Sequence, residues 1–177
     1  MTAKNEYAKA LFLLSEEEGK CERVLLDLRA VAEAVGENPA YLDLLDTPAL
    51  PKSEKLELID KAFSSVDESL RNLMKILCER RFTRLIPEIK KEFEGLYDEK
   101  FGIERVEAIT AVPMTEKHLE ALKMKLEAES GKTIIISNTV KPEILGGVKL
   151  RYSGVQLEGS VKTRLDKLEA SLKSVIV

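Results

Sequence analysis

The chain has 177 residues, 44% of them hydrophobic and 33% charged, which is enough apolar content for one domain or two small ones and too much for a disordered chain. Its 28 Lys and Arg stand against 31 Asp and Glu, a formal net charge of -3 with both signs interspersed, which speaks against a basic nucleic-acid groove. No run of about 18 apolar residues and no signal-peptide layout occurs, so the expectation is a chain on the cytosolic side that meets a membrane only through a partner.

From Lys4 to about Gly102 the apolar residues recur with helical period. A first helix runs from Lys4 to about Glu18 and stops at Gly19. A second, from Cys21 to Val35, carries Val24, Leu25, Leu28, Val31, Ala32 and Val35 on one stripe, with Gly36 as its expected stop. Asn38-Pro39 opens a short helix through Leu45, Asn as cap and Pro at the first helical position. Pro48 and Pro51 enforce a turn. Ser53 with Leu56, Ile59 and Phe63 marks a fourth helix, Asp67 to about Arg81 a fifth, and Ile86, Ile89, Phe93 and Leu96 a sixth.

After Gly102 the period changes. Glu104 to Val112 alternates, with β-branched Val106, Ile109, Thr110 and Val112, and Pro113 closes the strand. Thr115 caps a helix bearing Leu119, Leu122 and Leu126 that ends at Gly131, and Thr133 to Ser137 is a second strand. Val148 to Tyr152 and Val155 to Leu157 flank a turn at Ser153-Gly154, and Ser160 caps a last helix with Val161, Leu165, Leu168 and Leu172 on one face. The predicted fold is mainly α with a small α+β part: a six-helix bundle over 1–104, then a β-helix-β-hairpin-helix domain over 105–177. The charge changes sign with the period, from 17 basic and 22 acidic side chains in residues 1–105 to 11 and 9 in 106–177.

Chemistry-bearing patterns are sparse. Cys21 and Cys78 sit among apolar neighbours and read as buried, reduced thiols. Gly131-Lys132-Thr133 resembles the end of a phosphate loop, but that spacing needs glycine where Leu126 stands, and the tripeptide leaves a helix for a strand, the reverse of a phosphate loop. A nucleotide-handling enzyme using Lys132 and Thr133 is the alternative this leaves, alongside a generic helical adaptor. His118, the only histidine, reads as a surface residue, and Glu16-Glu17-Glu18 as a solvated face. Gly146-Gly147 is a positive-φ turn or a place where another backbone approaches. No catalytic group, cofactor or metal site is expected.

The first helix asks for more cover than a bundle gives. At roughly 100° per residue Tyr7, Ala10, Leu11 and Leu14 form one stripe, Ala8 and Phe12 lie beside it and Leu13 lies on the other flank. The fifth is also broad, with Leu70, Leu73, Met74 and Leu77 on one face and Ile76 and Cys78 to either side. Either the first helix is central in the bundle, or the two border a groove that receives an amphipathic helix from another protein.

Tyr7-Ala8-Lys9-Ala10-Leu11-Phe12 resembles the opening helix of the delta subunit of F-type ATP synthases, the oligomycin sensitivity conferral protein of mitochondria. Asn38-Pro39, the Pro48 to Pro51 turn, Asn72-Leu73 through Leu77 with Arg80-Arg81, and Ile89 to Phe93 follow in that family's order. Pro142 to Val148 and Leu157-Glu158-Gly159-Ser160-Val161 are similar to its double-glycine strand entry and last helix cap, with Glu158 in place of the usual Asp.

The resemblance implies a non-catalytic stator subunit that links the catalytic head to the peripheral stalk and resists rotor torque during proton-coupled ATP synthesis. It implies that the N-terminal domain receives the alpha subunit's N-terminal helix near Tyr7, Ala10, Leu11, Leu14, Asn72, Leu73, Ile76 and Arg80. It implies that the C-terminal domain engages the C-terminus of the stalk b subunit, with Leu165, Leu168 and Leu172 as contact candidates, although their single amphipathic stripe favours packing inward. The expected location is the cytoplasmic face of the bacterial plasma membrane, attached through the complex.

Overall fold

The computed structural model describes residues 3–144 and 147–152 and the backbone of 155–158. The chain divides into two units, 1–98 and 99–177, so the division falls six residues before the boundary expected from the sequence.

The first unit is helical. Helix α1 (Ala3–Glu17) turns Ala8, Leu11, Phe12 and Ser15 inward, the i, i+3, i+4, i+7 set of one helical face. Ser15 is fully buried and its hydroxyl donates to the Phe12 carbonyl at 2.8 Å, so no polar group is left unpaired there. Gly19, at φ +67°, closes the helix, because few side chains tolerate that backbone. Helix α2 (Cys21–Glu37) buries Val24, Leu25, Leu28, Val31 and Val35. It passes through Gly36 rather than stopping there. The stop is Asn38, which leaves helical geometry ahead of Pro39, and its backbone N–H and side-chain amide both donate to the Ala34 carbonyl. Asn38 therefore closes α2 and gives α3 (Pro39–Asp46) no side-chain cap.

Helix α4 (Lys52–Ala62) follows the two-proline turn. Helix α5 (Glu68–Glu79) is capped by Asp67, whose carboxylate accepts from Ser69 N–H at 2.9 Å. The Asp67 N–H in turn donates to Asp27 of α2 at 2.8 Å, which ties the start of α5 to the second helix. The sequence pattern carries α5 on to Arg81, but the helix ends at Glu79 and Arg81 takes φ +59°, the left-handed close that glycine usually provides. A single 3-10 turn (Thr83–Leu85) leads into α6 (Ile86–Lys100). Asp46 of α3 holds that turn, accepting from the Thr83 hydroxyl at 2.9 Å and pairing with Arg84 at 3.3 Å.

These helices share one core. Phe93 of α6 is fully buried and meets Phe12 of α1 edge-on, ring centroids 5.5 Å apart, and Leu28, Ile59, Leu70 and Leu77 are buried in the same cluster. Cys21 and Cys78 lie in the same core as buried thiols.

The second unit is a βαβ crossover extended by a hairpin. Strand β1 (Ile103–Thr110) pairs in parallel with β2 (Thr133–Val140), and α7 (Glu116–Ser130) connects them, as a parallel pair requires. Strand β3 (Val148–Tyr152) runs antiparallel on the other side of β1, and β4 (Val155–Glu158) antiparallel to β3, giving the order β2-β1-β3-β4. Gly131, at φ +68°, ends α7. Thr115, expected as its cap, makes no capping bond, and its hydroxyl lies 3.1 Å from His118 Nδ1. Strand β2 runs three residues beyond the expected Ser137 because Asn138 joins the ladder. Its amide donates to the Ala108 carbonyl at 2.8 Å and its oxygen accepts from Met114 N–H at 2.9 Å, pinning the loop that enters α7. Gly147 has φ +89°, in keeping with the turn reading of the glycine pair. Gly146, the Ser153-Gly154 turn and the last helix expected from Ser160 lie outside the described residues.

On the other face of β1, Glu107 accepts from the Thr139 hydroxyl at 2.7 Å and pairs with Arg151, joining three strands. The Thr139 bond first, and Arg151 second, hold its carboxyl below the ordinary value of 4.5. A depressed carboxylate adds stability above that ordinary value and loses it as pH falls through the lower one.

Three outcomes follow for denaturant titrations of the full chain. Phe93→Ala lowers the unfolding free energy of the first unit by about 3–5 kcal/mol, while Lys91→Ala on the solvent face stays within about 0.5 kcal/mol. Arg81→Gly raises stability by about 0.5–1 kcal/mol, since the left-handed position then carries no β-carbon penalty. Glu107→Gln weakens the second unit at neutral pH, and its difference from wild type shrinks as pH falls below 4.5; a difference that grows on acidification contradicts the assignment.

Candidate functional site

An open groove of about 390 Å³ lies between α1 and α5. Its origin is the helical repeat: with Ala8, Leu11, Phe12 and Ser15 committed to the core, the adjoining strip of α1 holds Tyr7, Ala10 and Leu14 and faces outward. Helix α5 does the same. Leu70, Leu73, Met74 and Leu77 are buried, and Asn72 and Ile76 form its open edge.

The residues read from the sequence as groove or core now separate. Leu11 and Leu73 are 4% and 8% exposed and form the floor, serving core and groove at once. Leu14 and Ile76 are 42% and 45% exposed and stand as walls, with Tyr7, Ala10 and Asn72 completing the lining. Arg80 is exposed at the C-terminal cap of α5 and does not line the groove. Leu13, 47% exposed on the opposite flank of α1, is also outside it. Leu165, Leu168 and Leu172 lie outside the described residues.

Sequence reasoning missed the polar end of the groove, formed by Glu18, Lys20, Glu68 and Ser69. The signal was present: residue 18 follows Leu14 by four positions and residue 68 precedes Asn72 by four, so both continue the two apolar strips by one turn. Lys20 lies 3.0 Å from Glu18 and 4.0 Å from Asp67, so the C-terminal end of α1 meets the N-terminal end of α5. Its hydrogen bond to Glu18 holds the Lys20 ammonium above its ordinary value, with Asp67 and Glu68 adding smaller attractions.

A second hollow of about 340 Å³ lies by the two-proline turn, where Pro48, Leu50 and Leu56 share its lining with the charged Lys52, Lys55, Glu79 and Arg81. His118 is exposed on α7, with Thr115 Oγ1 beside its ring. The Gly131-Lys132-Thr133 tripeptide leaves α7 for β2, and Lys132 lies 3.4 Å from the carboxylate of Glu104. No helix among the described residues is long and apolar enough to cross a membrane. In the second unit α7 buries none of its residues fully; a hollow of about 230 Å³ remains between Leu126 and the sheet residues Val106, Ile134 and Tyr152.

Comparison with known proteins gives this arrangement its context. The family profile described as ATP synthase delta (OSCP) subunit matches residues 3–172. The ATP synthase subunit delta of Clostridioides difficile (strain 630) is 34% identical over 174 residues, covering 97% of this chain and 96% of that one. The ATP synthase subunit delta of Geobacillus sp. (strain WCH70) is 34% identical over 167 residues, 94% of either chain. Among solved structures, a chain of the Toxoplasma gondii mitochondrial ATP synthase hexamer has the same fold, with a TM-score of 0.72 at 23% identity over 97% of this chain and 98% of that one. The chain belongs to the ATP synthase delta (OSCP) subunit family and is a linking subunit of the stator, in contact with other subunits of the F-type complex.

Proposed function

We propose that the α1–α5 groove is the docking site for the N-terminal helix of an alpha subunit, and that the second unit engages the C-terminus of the stalk b subunit. The observation that carries this reading is the open groove itself. Leu14 and Ile76 are left two-fifths or more in water on either side of a buried floor, an arrangement that an amphipathic helix with apolar side chains at i, i+3, i+4 and i+7 would cover. Covering the walls removes apolar surface from water at roughly 25 cal/mol per Å², and the floor is already ordered by the core, so little further entropy is lost on binding.

In this role the protein is not an enzyme. It transmits force and needs no cofactor: the head must be held still against the turning shaft, and two sites on one chain tether it. Each site alone can be of moderate strength, because linkage raises the effective concentration of the second. The two relatives of 34% identity come from bacteria, which supports a place on the cytoplasmic face of the plasma membrane, attached through the complex. Leu165, Leu168 and Leu172 of the terminal segment are the residues we assign to the stalk contact.

Titration calorimetry of the full chain with a peptide of about two dozen residues from the start of the cognate alpha subunit tests the groove. Saturable one-to-one binding is expected. Leu14→Asp and Ile76→Asp each weaken it at least about tenfold, or about 1.4 kcal/mol, with helical circular dichroism unchanged. Leu13→Asp, an equally exposed leucine outside the groove, leaves affinity within about twofold. Absence of binding by the wild-type chain, or an equal loss from Leu13→Asp, overturns the assignment.

A further inference from the structure

The groove is apolar along most of its length and charged at one end only. Among the described residues the charged ones that line it, Glu18, Lys20 and Glu68, sit where the end of α1 meets the start of α5, and none lines the Tyr7 and Ile76 end. The single cation there is already engaged, 3.0 Å from Glu18 and 4.0 Å from Asp67. Asp67 is itself turned to the cap of α5, accepting from Ser69 N–H. Glu68 is exposed and forms no ion pair among the described residues. Three carboxylates against one ammonium leave this mouth net negative.

We infer that the helix seated in the groove carries a basic side chain at the end that lies between Glu18 and Glu68, so that charge sets its register and direction while the apolar walls supply the affinity. This rests on the reading of the groove as a helix site and deepens it by naming the partner's charge pattern. The physical division is a general one. Solvent-exposed charges at a rim contribute little to affinity but steer encounter and penalise wrong alignments. Along an apolar groove a helix can slide by one turn, about 5.4 Å, and still meet leucines and isoleucines. A single acidic mouth removes that degeneracy, because only one alignment places the basic residue against the two carboxylates, and a reversed helix places it against Tyr7 and Ile76 instead.

The test uses the full chain and the same alpha-subunit peptide, with stopped-flow association and equilibrium titration at about 0.02 M and about 0.5 M salt, conditions that span strong and nearly complete screening. Glu68→Lys is expected to slow association about 3–10-fold at low salt, a difference that collapses at high salt. Replacing one basic residue of the peptide by norleucine is expected to cost wild type about 3–10-fold in affinity but to cost the Glu18→Gln, Glu68→Gln double variant less than about twofold. That coupling is read from the peptide side and does not depend on how the single variants fold. Binding by wild type that is indifferent to salt, to Glu68→Lys and to every basic residue of the peptide overturns the inference and leaves the groove as a purely apolar site. No binding by wild type at either salt overturns both the inference and the reading beneath it.

Discussion

A helix advances 100° per residue, and this fixes what α1 can do. Once Ala8, Leu11 and Phe12 enter the core against Phe93, Tyr7, Ala10 and Leu14 have to lie on the next strip of the same cylinder, and helix α5 stands beside it without covering it. Leu11 and Leu73 sit at the seam, so the same side chains that hold the bundle together form the floor of the groove. The floor is rigid because the core is packed. A groove built this way needs no separate scaffold, and any change that loosens the Phe12–Phe93 contact also blurs it.

Much of this was legible in the residues. The 3.6-residue repeat gave the helices through Leu96, and the excess apolar width of the first and fifth marked where a partner could lie. What the repeat could not settle was the division between core and groove, because Leu11 and Leu14 differ by less than one turn and only the placement of the neighbouring helices decides which of them is buried. Besides the caps expected of Asn38 and Thr115, turn chemistry misled at two helix ends. Gly36 looks like a helix stop but lies inside α2, since the ladder is broken only where Pro39 restricts Asn38. Arg81 stops α5 in a conformation that its own side chain does not announce. The polar end of the groove was overlooked because Glu18 belongs to the Glu16-Glu17-Glu18 run, which reads as a solvated face, and Glu68 opens the fifth helix ahead of its first apolar residue, Leu70.

The second unit shows a different balance. Its sheet is secured by polar side chains as much as by apolar ones: Asn138 bridges β2 to β1 and to the loop before α7, and Glu107 joins β2 and β3 across β1. Such bonds were invisible to patterning, which registers only alternation. The apolar side of α7 is half-covered, with Leu119, Leu122 and Leu126 all partly exposed. A thin core of this kind depends on hydrogen-bond geometry for its register.

The strand order has a consequence for the way the molecule is made. Strand β1 is central, yet both its neighbours, β2 and β3, come after it in the chain, the nearer starting at Thr133, beyond the whole of α7. During synthesis β1 therefore leaves the ribosome with two open edges. The helices of residues 3–100 have by then all been made, and among the described residues their shared core is built from positions no later than Tyr97. The groove can be complete while the sheet is still an unpaired strand, and the bundle end of this tether is finished first.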